Sequence, residues 1–245
     1  MNKWVVRALT LTILVSLQTK AGADPFERKP LEAGLAQVRS TAELPDLIDV
    51  PFLRVVETEQ RVPVDLRNNF NRIQQHIFGR PSLIELRACD GCGFTAQPSS
   101  MSVFIDLDYV ESIRRIFRGR AERVITYMLA HELSHFLLEY LIQLSPRKLS
   151  PSGFPSHYGD QLKFEAEVAA LPTPEARDEF VRQFIRKVTY AHAEIELLAL
   201  ISLQQMGVNA REDALIALRH NLKADLEPQT RFDLETRIKA ITEFK

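Results

Sequence analysis

Apolar residues recur at helical spacing over most of this chain. In the strongest stretch, residues 120–144, Met128, His131 and His135 follow one another three and four positions apart among apolar neighbours. This spacing places side chains on one face of a helix. Pro146 then interrupts the pattern, so we predict one long helix over residues 120–144.

Weaker repeats of the same kind predict further helices. At residues 62–78, Leu66, Phe70, Ile73 and Ile77 share one face, and a Gly-Arg-Pro sequence follows them. The remaining predicted helices cover residues 31–39, 174–186 or slightly beyond, 190–206, 210–222 and 228–244.

Two segments before the long helix alternate apolar and polar residues as strands do. They cover residues 82–88 and 101–110, and a Cys-Asp-Gly-Cys-Gly turn with a polar loop connects them. This pattern predicts a hairpin. The predicted fold class is therefore α+β, with a small antiparallel sheet followed by a mostly helical C-terminal part.

The first 23 residues have the pattern of a secretory signal peptide. Lys3 and Arg7 precede a mostly apolar stretch at residues 8–17, and a small-residue cleavage site ends at Ala23. The stretch of about ten residues is shorter than the roughly 20 that a transmembrane helix needs. We expect cleavage after Ala23 and an exported, periplasmic or secreted protein with one domain over residues 24–245. An uncleaved N-terminal anchor helix is the alternative.

Composition narrows the classes of partner. The hydrophobic fraction of 45% and the charged fraction of 26% are typical of a globular chain, not of a disordered or membrane one. The predicted signal peptide carries three basic and no acidic residues, so its removal changes the formal net charge from -1 to -4. Because nucleic-acid binding calls for a basic patch, we expect no nucleic-acid partner, and we expect no stable membrane span.

The two cysteines of the chain, Cys89 and Cys92, are separated by Asp-Gly. In an exported protein a closed disulfide is the default, because the compartment is oxidising. We therefore predict a local disulfide at the hairpin tip, with a free or redox-active pair as the alternative.

The central chemical motif is His131-Glu132-Leu133-Ser134-His135. Two histidines four apart on a helix can both reach one metal ion, and the carboxylate of Glu132 can take a proton from water beside that ion. Peptide hydrolysis is the reaction that this arrangement serves best. The alternative is a helix with two partly buried histidines and a solvated glutamate.

The motif resembles that of the zincin metallopeptidases. Their fold implies that the strand at residues 101–110 is the edge of the sheet above the active-site helix, where an extended substrate adds by backbone hydrogen bonds. A zinc peptidase also needs a third protein ligand. The metzincin spacing falls on Leu141 and the thermolysin spacing on Pro155, so neither pattern is followed.

Two segments remain as sources of the third ligand. The first, from His192 to Gly207, resembles the gluzincins related to the CAAX prenyl endopeptidase and its periplasmic quality-control relatives. That resemblance implies His192 as the third ligand and Glu196 as its supporting carboxylate. The family uses a glutamate as third ligand, so Glu194 and Glu196 remain candidates for direct binding.

The second segment is Ser156-His157-Tyr158-Gly159 followed by Glu165. It is similar to a motif of anthrax lethal factor and its relatives, in which a tyrosine stabilises the oxyanion and a glutamate binds zinc. The resemblance implies these roles for Tyr158 and Glu165. We expect a zinc-dependent endopeptidase acting on proteins or peptides. A non-catalytic envelope protein for binding or assembly, or a metal hydrolase of a non-protein envelope polymer, is the alternative.

Overall fold

The computed structural model describes residues 28–45, 47, 58, 60–146, 150 and 161–244, with the side chains of residue 99 and residues 161–165 left aside. The predicted signal peptide therefore lies outside the described residues. So does nearly all of the loop at residues 150–160, including His157 and Tyr158.

Helices dominate this part of the chain, and the α+β class is confirmed. In chain order the elements are α1 (Arg28–Ser40), α2 (Val64–Phe78), β1 (Glu85–Cys89), β2 (Phe94–Gln97), β3 (Ser102–Asp106), α3 (Leu107–Phe117), α4 (Ala121–Leu144), α5 (Gln161–Ala170), α6 (Pro174–Gln205), α7 (Arg211–Asn221) and α8 (Pro228–Glu243). Short 3-10 turns cover Pro98–Ser100 and Arg118–Arg120.

Periodicity located several helices well. Leu66, Phe70, Ile73 and Ile77 of α2 are buried together, as their shared face predicts. Gly79 ends the helix in the left-handed region, at a φ of 69°, and its N–H bonds to the carbonyl of residue 75. A left-handed glycine directly after a helix satisfies carbonyl groups that would otherwise lack a partner.

The prediction divided one C-terminal helix into two. We predicted separate helices at residues 174–186 and 190–206, but α6 runs without a break from Pro174 to Gln205. Its first half is exposed or partly buried at nearly every position and its second half is mostly buried, so the apolar pattern changes although the backbone does not. The short helices α3 and α5 were not predicted.

The sheet is mixed, so the predicted antiparallel hairpin is wrong. The strand order is β1-β3-β2, with β1 parallel and β2 antiparallel to β3. The polar loop between the two predicted strands contains β2. Because the chain runs back along β2 before it enters β3, β3 runs in the same direction as β1. Alternation of apolar and polar residues identifies a strand but not the direction of its partner.

The strand predicted at residues 101–110 is also too long. Its second half is the start of α3, because the carboxylate of Asp106 accepts the backbone N–H groups of Asp108 at 2.9 Å and Tyr109 at 3.2 Å. An aspartate in this position is a strong signal for the start of a helix.

Cys89 and Cys92 lie at disulfide distance, as predicted, with their Cα atoms 6.0 Å apart. The bridge joins the last residue of β1 to the turn that precedes β2. Since β1 and β2 are not neighbours in the sheet, the bridge closes a turn between strands and not the tip of a hairpin.

Helix α4 lies in the centre of the hydrophobic core. It packs against α6 most extensively and also contacts α1, α2, α3, α7 and β2. A helix that is apolar on nearly every side is buried on nearly every side. No helix of the described part has both the length and the apolar character needed to cross a bilayer.

Candidate metal centre

One stripe of α4 is less buried than the rest of the helix. Between Val124 and Ile142, a stretch described without gaps, Met128, His131 and His135 are partly buried and every other residue is buried. Their spacing of three and four residues places them on one face. This face is therefore where ligands can approach the otherwise enclosed helix.

The two histidines of the motif come together at the tips of their rings. The Nε2 atoms of His131 and His135 are 3.3 Å apart, and the ring centroids are 5.0 Å apart. Two nitrogens bound to one tetrahedral zinc ion, each at about 2.05 Å, are separated by about 3.3 Å. The same distance also suits a weak hydrogen bond between the rings. The separation of the two nitrogens is thus the one that two ligands of the same zinc ion would have.

Glu132 lies beside this pair but is almost enclosed, with 8% of its surface exposed. The backbone N–H of Ala96 in β2 donates to its Oε2 at 2.8 Å. Burial raises the pKa of Glu132, while the neighbouring His131 and the Ala96 N–H oppose the rise. A carboxylate whose pKa is raised above its ordinary value is a stronger base than a fully solvated one.

The contact with Ala96 identifies the strand that borders the site. The sequence assigned the edge of the sheet to residues 101–110, but β3 is the central strand and β2 is at the edge. Phe94 and Ala96 pair with Ile105 and Val103 in the register, and the Ala96 N–H points away from β3 towards Glu132. The predicted border role therefore belongs to β2.

Glu196 of α6 approaches the opposite side of the His131 ring. Its Oε2 lies 3.2 Å from Nδ1 of His131, although the direction is not that of an aligned hydrogen bond. The Tyr127 hydroxyl donates to the same oxygen, and Nε of Arg237 donates to Oε1 at 2.6 Å. Because Nδ1 and Nε2 lie on different sides of the ring, this arrangement supports His131 from behind and does not join the Nε2 pair.

The charge of Glu196 is stabilised although the side chain is fully buried. Burial by itself would raise the pKa of Glu196, but the charges of Arg237 and His131 outweigh burial and hold the pKa well below its usual range. Burial lowers the pKa of Arg237, and the surrounding groups, with the charge of Glu196 first among them, more than reverse that effect. The two groups are therefore an ionised pair inside the protein.

His192 lies next to His135, with ring centroids 5.9 Å apart. Two imidazoles that bind one tetrahedral ion have centroids about 5 Å apart, so His192 is close to that arrangement without having reached it. Its Nδ1 lies 2.9 Å from Oδ1 of Asp233. Asp233 in turn accepts from Arg237, at 3.3 Å.

These contacts close into a ring built from three helices, each of which contributes residues four positions apart. Since residues at this spacing share a helix face, each helix presents its polar pair towards the same region. The members are His131 and His135 of α4, His192 and Glu196 of α6, and Asp233 and Arg237 of α8.

The other residues that the sequence suggested as ligands do not lie beside the histidine pair or are not described. Glu194 is fully buried, and two residues along a helix place it about 200° around α6 from His192 and Glu196. Glu165 lies in α5, but its side chain is not described, and Tyr158 falls outside the described residues. Among the described side chains, no three His, Cys, Asp or Glu groups are arranged to hold a metal ion as they stand.

Sequence reasoning missed Tyr127, Asp233 and Arg237. Tyr127 precedes His131 by four residues, so its place on the same face could have been noticed. Asp233 and Arg237 are each 41 residues from their partners on α6, and only the packing of α8 against α6 brings them together.

Comparisons of this chain with protein-family models, with curated proteins and with solved structures find no match.

Proposed function

We propose that this protein is a zinc-dependent endopeptidase. Its peptide-bond hydrolysis would depend on His131, Glu132 and His135. The observation that carries the proposal is the 3.3 Å separation of the two Nε2 atoms beside a nearly enclosed carboxylate. That combination provides two imidazole nitrogens as ligands and one proton acceptor within five residues of one helix.

The charge around the histidines also supports a cation. Glu132, Glu196 and Asp233 contribute three negative charges when ionised, and Arg237 contributes one positive charge. The formal net charge of these four side chains is therefore -2 if the imidazoles are neutral. Because buried charge is costly unless it is compensated, a divalent cation at the histidine pair would balance the site.

In the proposed mechanism His131 and His135 would hold zinc through Nε2, and His192 would be the third protein ligand. A zinc ion held there would lower the pKa of water to about 7 and polarise the scissile carbonyl. Glu132 accepts a proton from water and passes it to the leaving amine. Tyr158 remains the proposed oxyanion donor, as the sequence resemblance implies.

The edge strand β2 is the proposed border of the substrate cleft. In this proposal an extended peptide pairs with the outward backbone groups of Phe94 and with the carbonyl of Ala96, in the way that edge strands add a further strand. The Ala96 N–H bonds to Glu132 in the described conformation. Peptide binding at this edge would therefore take place within reach of the proton acceptor. Export, with cleavage after Ala23, is part of the same proposal.

Hydrolysis of casein by the purified protein, with zinc content measured on the same samples, tests this function. Glu132→Gln should abolish cleavage and keep zinc, because it removes the proton acceptor and leaves both histidines. Glu122→Gln, an exposed position on the same helix, is the matched control and should cleave as the wild type does. Zinc binding without casein cleavage would refute the peptidase. Activity on cell-wall material would then favour the polymer hydrolase, and its absence the binding protein.

A further inference from the structure

Helix α8 brings two charged side chains into the region of the histidines. Asp233 is 18% exposed and Arg237 is 17% exposed, although both lie on a short helix near the end of the described chain. The remaining charged residues between Arg231 and Lys239, by contrast, are exposed. Charged groups are rarely enclosed to this degree unless they are paired.

Both residues contact groups that stand behind candidate ligands. Asp233 lies 2.9 Å from Nδ1 of His192, and Glu196, which Arg237 binds, lies 3.2 Å from Nδ1 of His131. At His192, where Asp233 is within hydrogen-bond distance of Nδ1, the carboxylate favours the tautomer that carries its proton on Nδ1. That tautomer leaves the lone pair of Nε2 for a metal ion.

One guanidinium joins these two supports. Arg237 donates from Nε to Glu196 at 2.6 Å and from a terminal nitrogen to Asp233 at 3.3 Å. The rigid fork of an arginine can hold two carboxylates in a fixed relation, which the single flexible charge of a lysine does not. The orientations of His131 and His192 are thus linked through Arg237.

We propose that Asp233 and Arg237 are positioning residues of the metal centre and that α8 sets its metal affinity. The proposal rests on the zinc function proposed above. Burying a paired arginine and carboxylate is often no more stabilising than packing apolar groups in the same space. Stability alone therefore does not require the buried charges of Asp233 and Arg237. A role in holding the imidazoles of His131 and His192 in one orientation accounts for them.

The zinc dissociation constant of the full chain, measured by competition with a chromophoric chelator, tests the proposal. Asp233→Asn should weaken zinc binding by about 10- to 100-fold, the usual effect of altering a group behind a metal ligand. Asp233→Glu should recover part of that loss, because the carboxylate is restored at a different reach. Glu235→Gln makes the same change of charge at an exposed position of α8 and should bind zinc as the wild type does.

Two further measurements separate positioning from folding. The visible spectrum of the cobalt-substituted protein should change in Asp233→Asn and in Arg237→Lys, because the ligand geometry changes. Thermal unfolding in EDTA reports the stability of the metal-free chain. If Asp233→Asn and Arg237→Lys only lowered that stability, with the zinc constant and cobalt spectrum unchanged, the positioning role would be refuted. A wild type that binds no zinc would instead overturn the proposed function itself.

Discussion

The ionised pair of Glu196 and Arg237 offers a sharp test of the buried network. Arg237→Met replaces the guanidinium with an apolar chain of similar length. The carboxylate of Glu196, which is 0% exposed, would then keep the Tyr127 hydroxyl but lose its opposite charge. Among the described side chains that act on the Glu196 carboxylate, a protonated His131 would then be the remaining cation.

The expected cost is large because an unpaired charge remains in the core. Removing one partner of a buried ion pair destabilises a protein by about 3–5 kcal/mol. For a domain of this size each kcal/mol lowers the melting temperature by about 2–4 °C, so a loss of about 10 °C is expected. The double variant Glu196→Gln/Arg237→Met should recover at least about 2 kcal/mol of that loss, because Gln carries no charge.

Urea unfolding followed by circular dichroism, in EDTA so that metal binding does not contribute, gives the required free energies. The wild type, Glu196→Gln, Arg237→Met and the double variant form a double-mutant cycle. We expect the double variant to be more stable than Arg237→Met alone. The reasoning would be refuted by an Arg237→Met protein within 1 kcal/mol of the wild type (about the resolution of the assay), or by additive single effects.

Two other predictions concern stability. Gly79→Ala should destabilise the metal-free chain by about 1–2 kcal/mol, since Gly79 has a φ of +69° and an added Cβ would lie 3.3 Å from the Arg39 carbonyl oxygen. Gly119→Ala, where an added Cβ meets nothing within 4 Å, is the control and should lose no more than about 0.5 kcal/mol in the same urea titration. The lowered pKa of Glu196 predicts that its stabilisation is complete above the unfolded value of about 4.3 and is lost as the pH falls below it. The stability gap between the wild type and Glu196→Gln should therefore narrow from pH 7 to pH 3, and a constant gap would contradict the assignment.

The sequence predicted the local part of the site because that part depends on one helix. His131, Glu132 and His135 follow from spacing within five residues, and α4 begins within one residue of the predicted boundary. The buried face of α2 was predictable for the same reason. Local patterns of this kind need no knowledge of which elements pack together.

The remaining features depend on contacts between distant segments. The four-residue strand β2 was hidden in a polar loop, so neither the parallel pairing of β1 with β3 nor the Ala96–Glu132 contact was foreseen. The pairing of α8 with α6 likewise decides the surroundings of His192. Spacing along the chain carries no information on such pairings.

The metal content of the purified full chain, measured by mass spectrometry, shows whether the three histidines form a zinc site. The account predicts about one zinc ion per chain in the wild type, lost in His131→Ala and strongly reduced in His192→Ala, because three protein ligands hold a catalytic zinc ion. Loss in His131→Ala alone would keep the metal centre and move the third position away from His192, with Glu165 of α5 as the next candidate. A wild type without zinc after reconstitution would contradict the account.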